Sequence, residues 1–530
     1  MYSRGMDYSP VNTQALQKWL LNKYGSDAAL SAAWGMPVTI ATAQVPLPDP
    51  GRFPINGNAG INMLPIDAFY ALPQEQDWVD FSAYTSDLFS QRKLDIASLV
   101  RAQTQGKRLI GFYGGYMTEL AGSFNGHLRL DRELASPNID FLCAPFGYQT
   151  YQERLPGGSH PPQGVVDSVI ARGKLWFDEN DMPTYLSDPG QPYATANLTQ
   201  TVDVLQRDIG DGLIHRTATW WMDIKQDGAF NDPAIWSPMS DYGIPLFNQR
   251  YANPQLYHAD VALIVDRTSI LYQKADQDLT IPIRALLRDM LPKAGASSGM
   301  YSLDDFLDGT EPSSNVYIFA NAFYLTDPQI SQIQARLNAE GATAIWQYAP
   351  GFLGPTGVDV TRVSKLTGIQ VSQSDGYGYT SGVGLMANYS WGFTAQNLLS
   401  PRLVVTDPSA EVLGRYTSDN QISSARKQVG NFESVFIGEF SVITVANGYF
   451  SPNALRGLLQ TTGVHIWSTA GDVIQTDGSL LVIHAAAAGP DTISLPAGVT
   501  ATPLGGGPSS TGTLNINFSR VGQTLWFRLA

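Results

Sequence analysis

Gly173-Lys174-Leu175-Trp176-Phe177-Asp178-Glu179-Asn180-Asp181 is the stretch from which the rest of the chain can be placed. A turn-forming Gly-Lys is followed by three apolar residues, and the run then ends in carboxylates and an amide. Parallel strands covered on both faces read as apolar runs, and barrel enzymes carry their chemistry at the C-terminal ends of such strands. The stretch therefore predicts a buried parallel strand that delivers Glu179, flanked by Asp178, Asn180 and Asp181, to the rim of a barrel. A solvated acidic loop after an ordinary strand is the plainer alternative.

Working outward, a strand–helix alternation surrounds this strand. Arg108–Tyr116 is strand-like and Thr118–Ala135 mainly helical; Ile139–Pro145 is a strand and Val165–Arg172 a helix; Lys174–Phe177 is a strand, Thr195–Gly210 a helix and Thr219–Ile224 a strand. Such alternation argues for a parallel sheet with right-handed crossovers. The strands end in groups suited to a site: Tyr113, Tyr148, Asp178 and Glu179, then Trp220, Trp221 and Asp223. Four units are half of an eight-stranded barrel.

Toward the N-terminus, Asn12 or Thr13 is expected to cap a helix that stops at Tyr24-Gly25, and Ser26 or Asp27 a second one reaching Trp34. Residues 36–76 are a Pro/Gly/Asn-rich connection. A helix from about Trp78 to Gln103 follows, with Phe81, Tyr84, Leu88, Ile96 and Leu99 as its inner face. Toward the C-terminus the pattern restarts at Ala259–Asp266, a second buried strand. It continues through Asn315–Ala320, Thr343–Gln347, Glu433–Phe436 and His465–Trp467, and Gly351 to Asn431 is read as one elaborated loop. This predicts a doubly wound domain. From Thr469 onward, short alternating runs split by Gly, Pro and Ser predict a small antiparallel β module. The expected domains are 1–257, 258–468 and 469–530.

The totals exclude several classes. A formal charge of −14 repels phosphate backbones, so nucleic acid is not expected as a partner. One cysteine, Cys143, rules out an intrachain disulfide and Cys-based metal clusters, and the six histidines have no ligand spacing, so no metal or cofactor is expected. No run of about 18 apolar residues suggests a membrane span. Residues 1–30 hold no secretory pattern, so the expected location is cytoplasmic or left open by the sequence.

Several segments resemble a known family. Gln17-Lys18-Trp19-Leu20-Leu21-Asn22-Lys23-Tyr24-Gly25 with Ala29-Leu30 and Ala33-Trp34-Gly35 resembles the "WL-x-x-KYG…AL-x-x-AWG" segment of glycoside hydrolase family 42 β-galactosidases. Asn125-Gly126-His127-Leu128, Ile139–Pro145 and Gly173–Asn180 are similar to a β-galactosidase-like branch of that clan. Trp346-Gln347-Tyr348-Ala349-Pro350-Gly351 resembles its middle, trimerisation domain. The resemblance implies a (β/α)₈ barrel, a β-galactoside or related carbohydrate as substrate, a homo-oligomer with a trimer suggested, and a retaining mechanism with two carboxylates about 5 Å apart. It implies Glu179 as nucleophile, Trp176, Asp178, Asn180 and Asp181 around it, Tyr113 and Tyr148 lining the pocket, and Trp220 or Trp221 stacking on a sugar face.

The departure from the family lies at the start of the chain. The family's acid/base glutamate follows an Asn at the end of the fourth strand, ahead of the Trp19–Gly25 helix; here about a dozen residues precede that helix and none is Glu. The first four strands and the acid/base are therefore expected to be missing, with Glu119, Glu153 and Asp223 as candidate substitutes. The competing expectation is a truncated, catalytically impaired relative that binds carbohydrate or only oligomerises. An amidotransferase activity, suggested by the doubly wound domain, is rejected because Cys143 lies outside that domain.

Overall fold

The computed structural model describes residues 7–47, 66–119, 126–148, 151–191, 193–252, 256–274, 286–392, 398–439 and 451–530. Much of the 36–76 connection and Asn125 lie outside these residues.

Helices α1 (Pro10–Tyr24) and α2 (Asp27–Trp34) clasp the long helix α3 (Gln76–Gln103). The cap of α1 is Ser9, not Asn12 or Thr13, because Pro10 occupies the first helical position, where its missing N–H costs nothing. The fully buried Asp80 carboxylate on α3 accepts from Lys23 Nζ (2.7 Å), Tyr24 Oη (2.7 Å) and Trp34 Nε1 (2.8 Å). The residues of the WL-x-x-KYG…AWG segment thus build a clasp around one buried charge, whose desolvation demands such partners.

Four parallel strands follow in the order β1-β2-β3-β4: β1 (Gly111–Tyr113), β2 (Phe141–Pro145), β3 (Leu175–Asn180) and β4 (Ala218–Trp221). The connecting helices are α4 (Leu130–Ala135), α5 (Val166–Ala171) and α6 (Leu198–His215). In-register parallel partners share a face. Leu142 and Trp176 form one set with Phe112, and Ala144, Asp178 and Thr219 continue it. This face joins the core that runs on through Val166 and Val169 into the second sheet. The other face carries Gly111, Phe141 and Leu175, then Tyr113, Cys143, Phe177 and Ala218, then Pro145, Glu179 and Trp220. It is only partly covered: Leu175 is 37% exposed, Tyr113 47% and Trp220 37%, whereas Cys143 and Glu179 are buried at 6% and 5%. The expectation that β3 is covered on both faces is corrected on this side. Among the described residues, β1 and β4 each have a free edge, and no strand of this sheet precedes α3.

One further expectation is corrected here. Ile96 and Leu99 of α3 are exposed together with Phe89, so this stripe is not an inner face. Before β3, Arg172 pairs with Asp305 and Asp308, and Lys174 Nζ donates to the carbonyls of Ser136 and Ile139.

The second sheet has nine strands. The parallel part is β5 (Val261–Val265), β6 (Ser298–Ser302), β7 (Val316–Phe319), β8 (Thr343–Gln347) and, last in the chain, Phe432–Ile437. Antiparallel strands Tyr379–Gly382, Ser390–Gly392, Glu411–Tyr416 and Ile422–Val429 extend it. The segment between Gly351 and Asn431 is therefore strand-rich rather than one loop; its Gly, Ser and Thr residues sit on short sheet strands whose alternation is too weak to read locally. His465–Trp467 is an extended connection, not a strand, held by the Trp467 N–H on the Gly295 carbonyl (2.7 Å). The chain ends in a five-stranded antiparallel sheet and a two-stranded one, which share a core of Ile474, Leu481, Ile483, Ile493 and Phe527. Leu480, Val482 and Trp526 of this module pack on Ile209, Leu213 and Ile214 of α6.

Candidate active site

The C-terminal end of β3 is the centre of the site. Glu179 lies on the partly covered face, 5% exposed, in register with Pro145 and Trp220. Tyr113 of β1 reaches over β2 and donates its hydroxyl to the Glu179 carboxylate. Burial raises the Glu179 pKa, the Tyr113 hydrogen bond lowers it and the charge of Asp181 raises it, for a net upward shift. Trp220 lies on the same face and donates from Nε1 to Cys143 Sγ at 3.3 Å. A carboxylate beside an aromatic ring and a hydroxyl donor, at a strand end open on one side, can attack an electrophilic carbon or polarise a bound hydroxyl.

Asp181 stands just beyond the strand end. Tyr148 Oη donates to its Oδ2 at 2.7 Å and Arg154 Nη2 to its Oδ1 at 2.5 Å, with the Arg154 guanidinium 5.2 Å from the Tyr148 ring centre. The remaining expected site residues fall on the opposite face, behind Glu179. Trp176 Nε1 and Thr217 Oγ1 both donate to Asp178, at 2.6 Å each. Burial pushes the Asp178 carboxyl up to about 8, against those two hydrogen bonds. Asn180 Nδ2 donates to Asp208 Oδ2 (2.8 Å), which also meets His160 Nδ1 at 3.1 Å. Trp221 stacks edge-on against Trp236 and shares a cluster with Phe230 and Met182. Of the two tryptophans, Trp220 is thus the one on the face of Glu179.

The candidate substitute acids are each engaged elsewhere. Glu119, 1% exposed, accepts the Tyr148 N–H with both oxygens (2.9 and 3.1 Å) and Arg288 Nη1 at 2.8 Å. Glu153 accepts from Ser159 N–H (2.7 Å) and Lys293 Nζ (2.8 Å). Asp223 closes a turn by accepting the N–H groups of Gly228 (2.8 Å) and Ala229 (3.2 Å). Arg154, Arg207, Asp208 and His160 were not expected from the sequence. Apart from the adjacent Arg207–Asp208 pair, they meet partners tens of residues away, which leaves no local spacing to read.

Among the described residues no group of three or more His, Cys, Asp or Glu side chains could hold a metal ion, and no helix is long and apolar enough to cross a membrane.

No family model matches the chain, and no curated protein does. Solved structures do. The cold-adapted β-galactosidase from Rahnella sp. R3 aligns at a TM-score of 0.66 with 14% identity, over 99% of this chain and 77% of that one. The β-galactosidase from the haloarchaeon Halorubrum lacusprofundi gives 0.63 with 13% identity, over 98% and 76%. A catalytic mutant of the glycoside hydrolase family 42 β-galactosidase from G. stearothermophilus gives 0.62 with 11% identity, over 99% and 77%. The chain has the α/β fold of these enzymes, with a parallel-strand sheet, and roughly a quarter of each neighbour's length has no counterpart in it.

Proposed function

We propose that the chain is a glycoside hydrolase of the retaining β-galactosidase type, with Glu179 as nucleophile. The observation that carries this reading is the placement of Glu179 at the C-terminal rim of a parallel sheet, with Tyr113 donating to it and Trp220 alongside. Barrel enzymes keep their chemistry at this rim, and the fold shared with β-galactosidases supports the same reading. The Glu179 carboxylate attacks the anomeric carbon; the bond from that carbon to the leaving oxygen breaks, and the electron pair departs with the oxygen. Water then attacks the anomeric carbon of the glycosyl ester, its proton passing to the second carboxylate or, where that group is missing, to solvent, and Glu179 leaves as carboxylate. Trp220 offers an apolar surface to the C–H face of the sugar, and Tyr113 orients the carboxylate.

The second carboxylate of such a mechanism is proposed to come from a unit that closes the four-stranded sheet into a barrel. The open part of the face that carries Glu179 and the two strand edges that are free among the described residues, none of which adds a strand to this sheet before α3, support this placement. General acid–base help contributes about 10²–10⁴ in rate. The engagement of Glu119, Glu153 and Asp223 favours a second reading for the chain without that unit: a carbohydrate binder impaired in protonating its leaving group. A leaving-group series separates the two. Dinitrophenyl β-galactoside needs no proton on departure, whereas methyl β-galactoside does. Cleavage of the first alone fits a nucleophile without its acid; cleavage of both fits a complete site; cleavage that persists in Glu179→Gln removes Glu179 from the mechanism.

A further inference from the structure

Residues 153–160 turn back across the C-terminal ends of β2 and β3, and all three parts of the molecule grip them. Arg207 of α6, fully buried, donates from Nη1 to the carbonyls of Glu153 (3.2 Å), Leu155 (3.1 Å) and Gly158 (2.8 Å), and from Nη2 to that of Arg154 (3.3 Å). From the second sheet's side, Lys293 holds Glu153 and the Asp289 carbonyl accepts Ser159 Oγ at 2.9 Å. From the C-terminal module, His484 Nε2 accepts the Gly157 N–H at 2.8 Å. Surface loops are ordinarily more mobile than the elements they connect, so anchoring of this density points to something the loop must hold still. What it holds is Arg154, 5% exposed, with its guanidinium on Asp181 Oδ1 while Tyr148 takes Oδ2.

We propose that Arg154 is a positioning residue of the site: its ion pair with Asp181 ties down the second carboxylate at the rim, so that Glu179 is the carboxylate left to meet the substrate. The proposal rests on Glu179 as nucleophile. Around Glu179 stand Tyr113 of β1, Cys143 of β2, Tyr148 beyond β2, Asp178 on its own strand and Asp181 just past that strand's end. Asp178 lies on the far face, bonded to Trp176 and Thr217, which leaves Asp181 as the like charge that acts on Glu179. Two neighbouring carboxylates at a partly dehydrated site resist ionising together, and a cation on one relieves the other. Arginine suits the task because its guanidinium stays charged when buried and stacks on an aromatic ring, as it does on Tyr148.

The test is a ¹³C-carboxyl NMR titration of the full chain labelled at glutamate, with the Glu179 resonance identified by its loss in Glu179→Gln. Arg154→Met is expected to move the Glu179 midpoint up by about one pH unit. Arg154→Lys should keep most of the native midpoint, and the double variant Arg154→Met/Asp181→Asn should restore it. A midpoint that does not move in Arg154→Met overturns the proposal, and so does a double variant that fails to restore it. A purely structural role would lower the melting temperature of both Arg154→Met forms alike without moving Glu179. Because the titration needs no turnover, its outcome stands apart from the nucleophile assignment, which fails if dinitrophenyl β-galactoside is cleaved equally by Glu179→Gln.

Discussion

Tyr113 and Glu179 sit two strands apart, on β1 and β3, and the tyrosine hydroxyl crosses over Cys143 of β2 to donate to the Glu179 carboxylate. The bond fixes one carboxylate oxygen and favours the charged form. A hydrogen bond to a charged group is worth about 1.5–3 kcal/mol. Tyr113→Phe is therefore expected to lower kcat/KM for an aryl β-galactoside by roughly 10- to 100-fold. It should also shift the acid limb of the pH profile upward, since Tyr113 lowers the Glu179 pKa. An unchanged acid limb would separate Tyr113 from the ionisation of Glu179.

Trp220 is the aromatic surface on the face of Glu179. Aromatic contacts contribute about 0.5–1.5 kcal/mol beyond simple burial. Trp220→Ala should raise KM by roughly 2- to 12-fold with a smaller change in kcat, read from initial rates. Trp221→Phe, on the opposite face, should leave KM near the wild-type value.

Arg207 is fully buried and joins α6 to four carbonyls of the 153–158 segment and to Asp208 Oδ1 at 2.8 Å. Removing one partner of a buried ion pair costs about 3–5 kcal/mol. Arg207→Met is expected to lower the urea midpoint correspondingly and to speed amide exchange in residues 153–160. Native-like exchange there would show that the segment holds itself in place.

His215 gives a pH-dependent stability. Burial lowers its pKa, but Asp167, at 2.8 Å, and Asp211 outweigh burial and lift it to about 9. The charged form is thus favoured in the folded state. Its stabilisation is full below the unfolded value of about 6.5 and is lost as pH rises through about 9. Asp178 titrates near 8 with its ionised form disfavoured, so it weakens the fold in the same direction. The contrast with His215→Gln reports the histidine together with its pull on Asp178 and Asp211, whose pKa values its charge lowers. Wild type should lose on the order of 2–3 kcal/mol more than the variant between pH 6.5 and 9.5, measured by chemical denaturation at each pH. Parallel curves would contradict the ion pair.

The cores were legible where the apolar runs were long. Leu175–Phe177, Val261–Val265 and Thr343–Gln347 form the strands that their composition suggests, and Glu179 falls at a strand end as its position after Phe177 indicated. What was not legible depended on distance in the sequence. Asp80 gathers Lys23, Tyr24 and Trp34 from more than 40 residues away, and Arg154 reaches Asp181 across a strand and a helix. The partly open face of the four-stranded sheet was equally hidden, because Leu175 and Phe177 read as buried whether or not anything covers them. Glu119 and Glu153 could not be judged from spacing alone, since their partners Arg288 and Lys293 lie beyond residue 285.

Intact and peptide mass spectrometry after incubation with 2,4-dinitrophenyl 2-deoxy-2-fluoro-β-galactoside puts Glu179 to the test. The fluorine slows both steps of a retaining reaction, and the activated leaving group keeps the first step fast without an acid. We expect one fluoroglycosyl group per chain, on the peptide that carries Glu179, and none in Glu179→Gln. A label on another residue, or no label in a chain that still turns over the unsubstituted galactoside, would contradict Glu179 as the nucleophile.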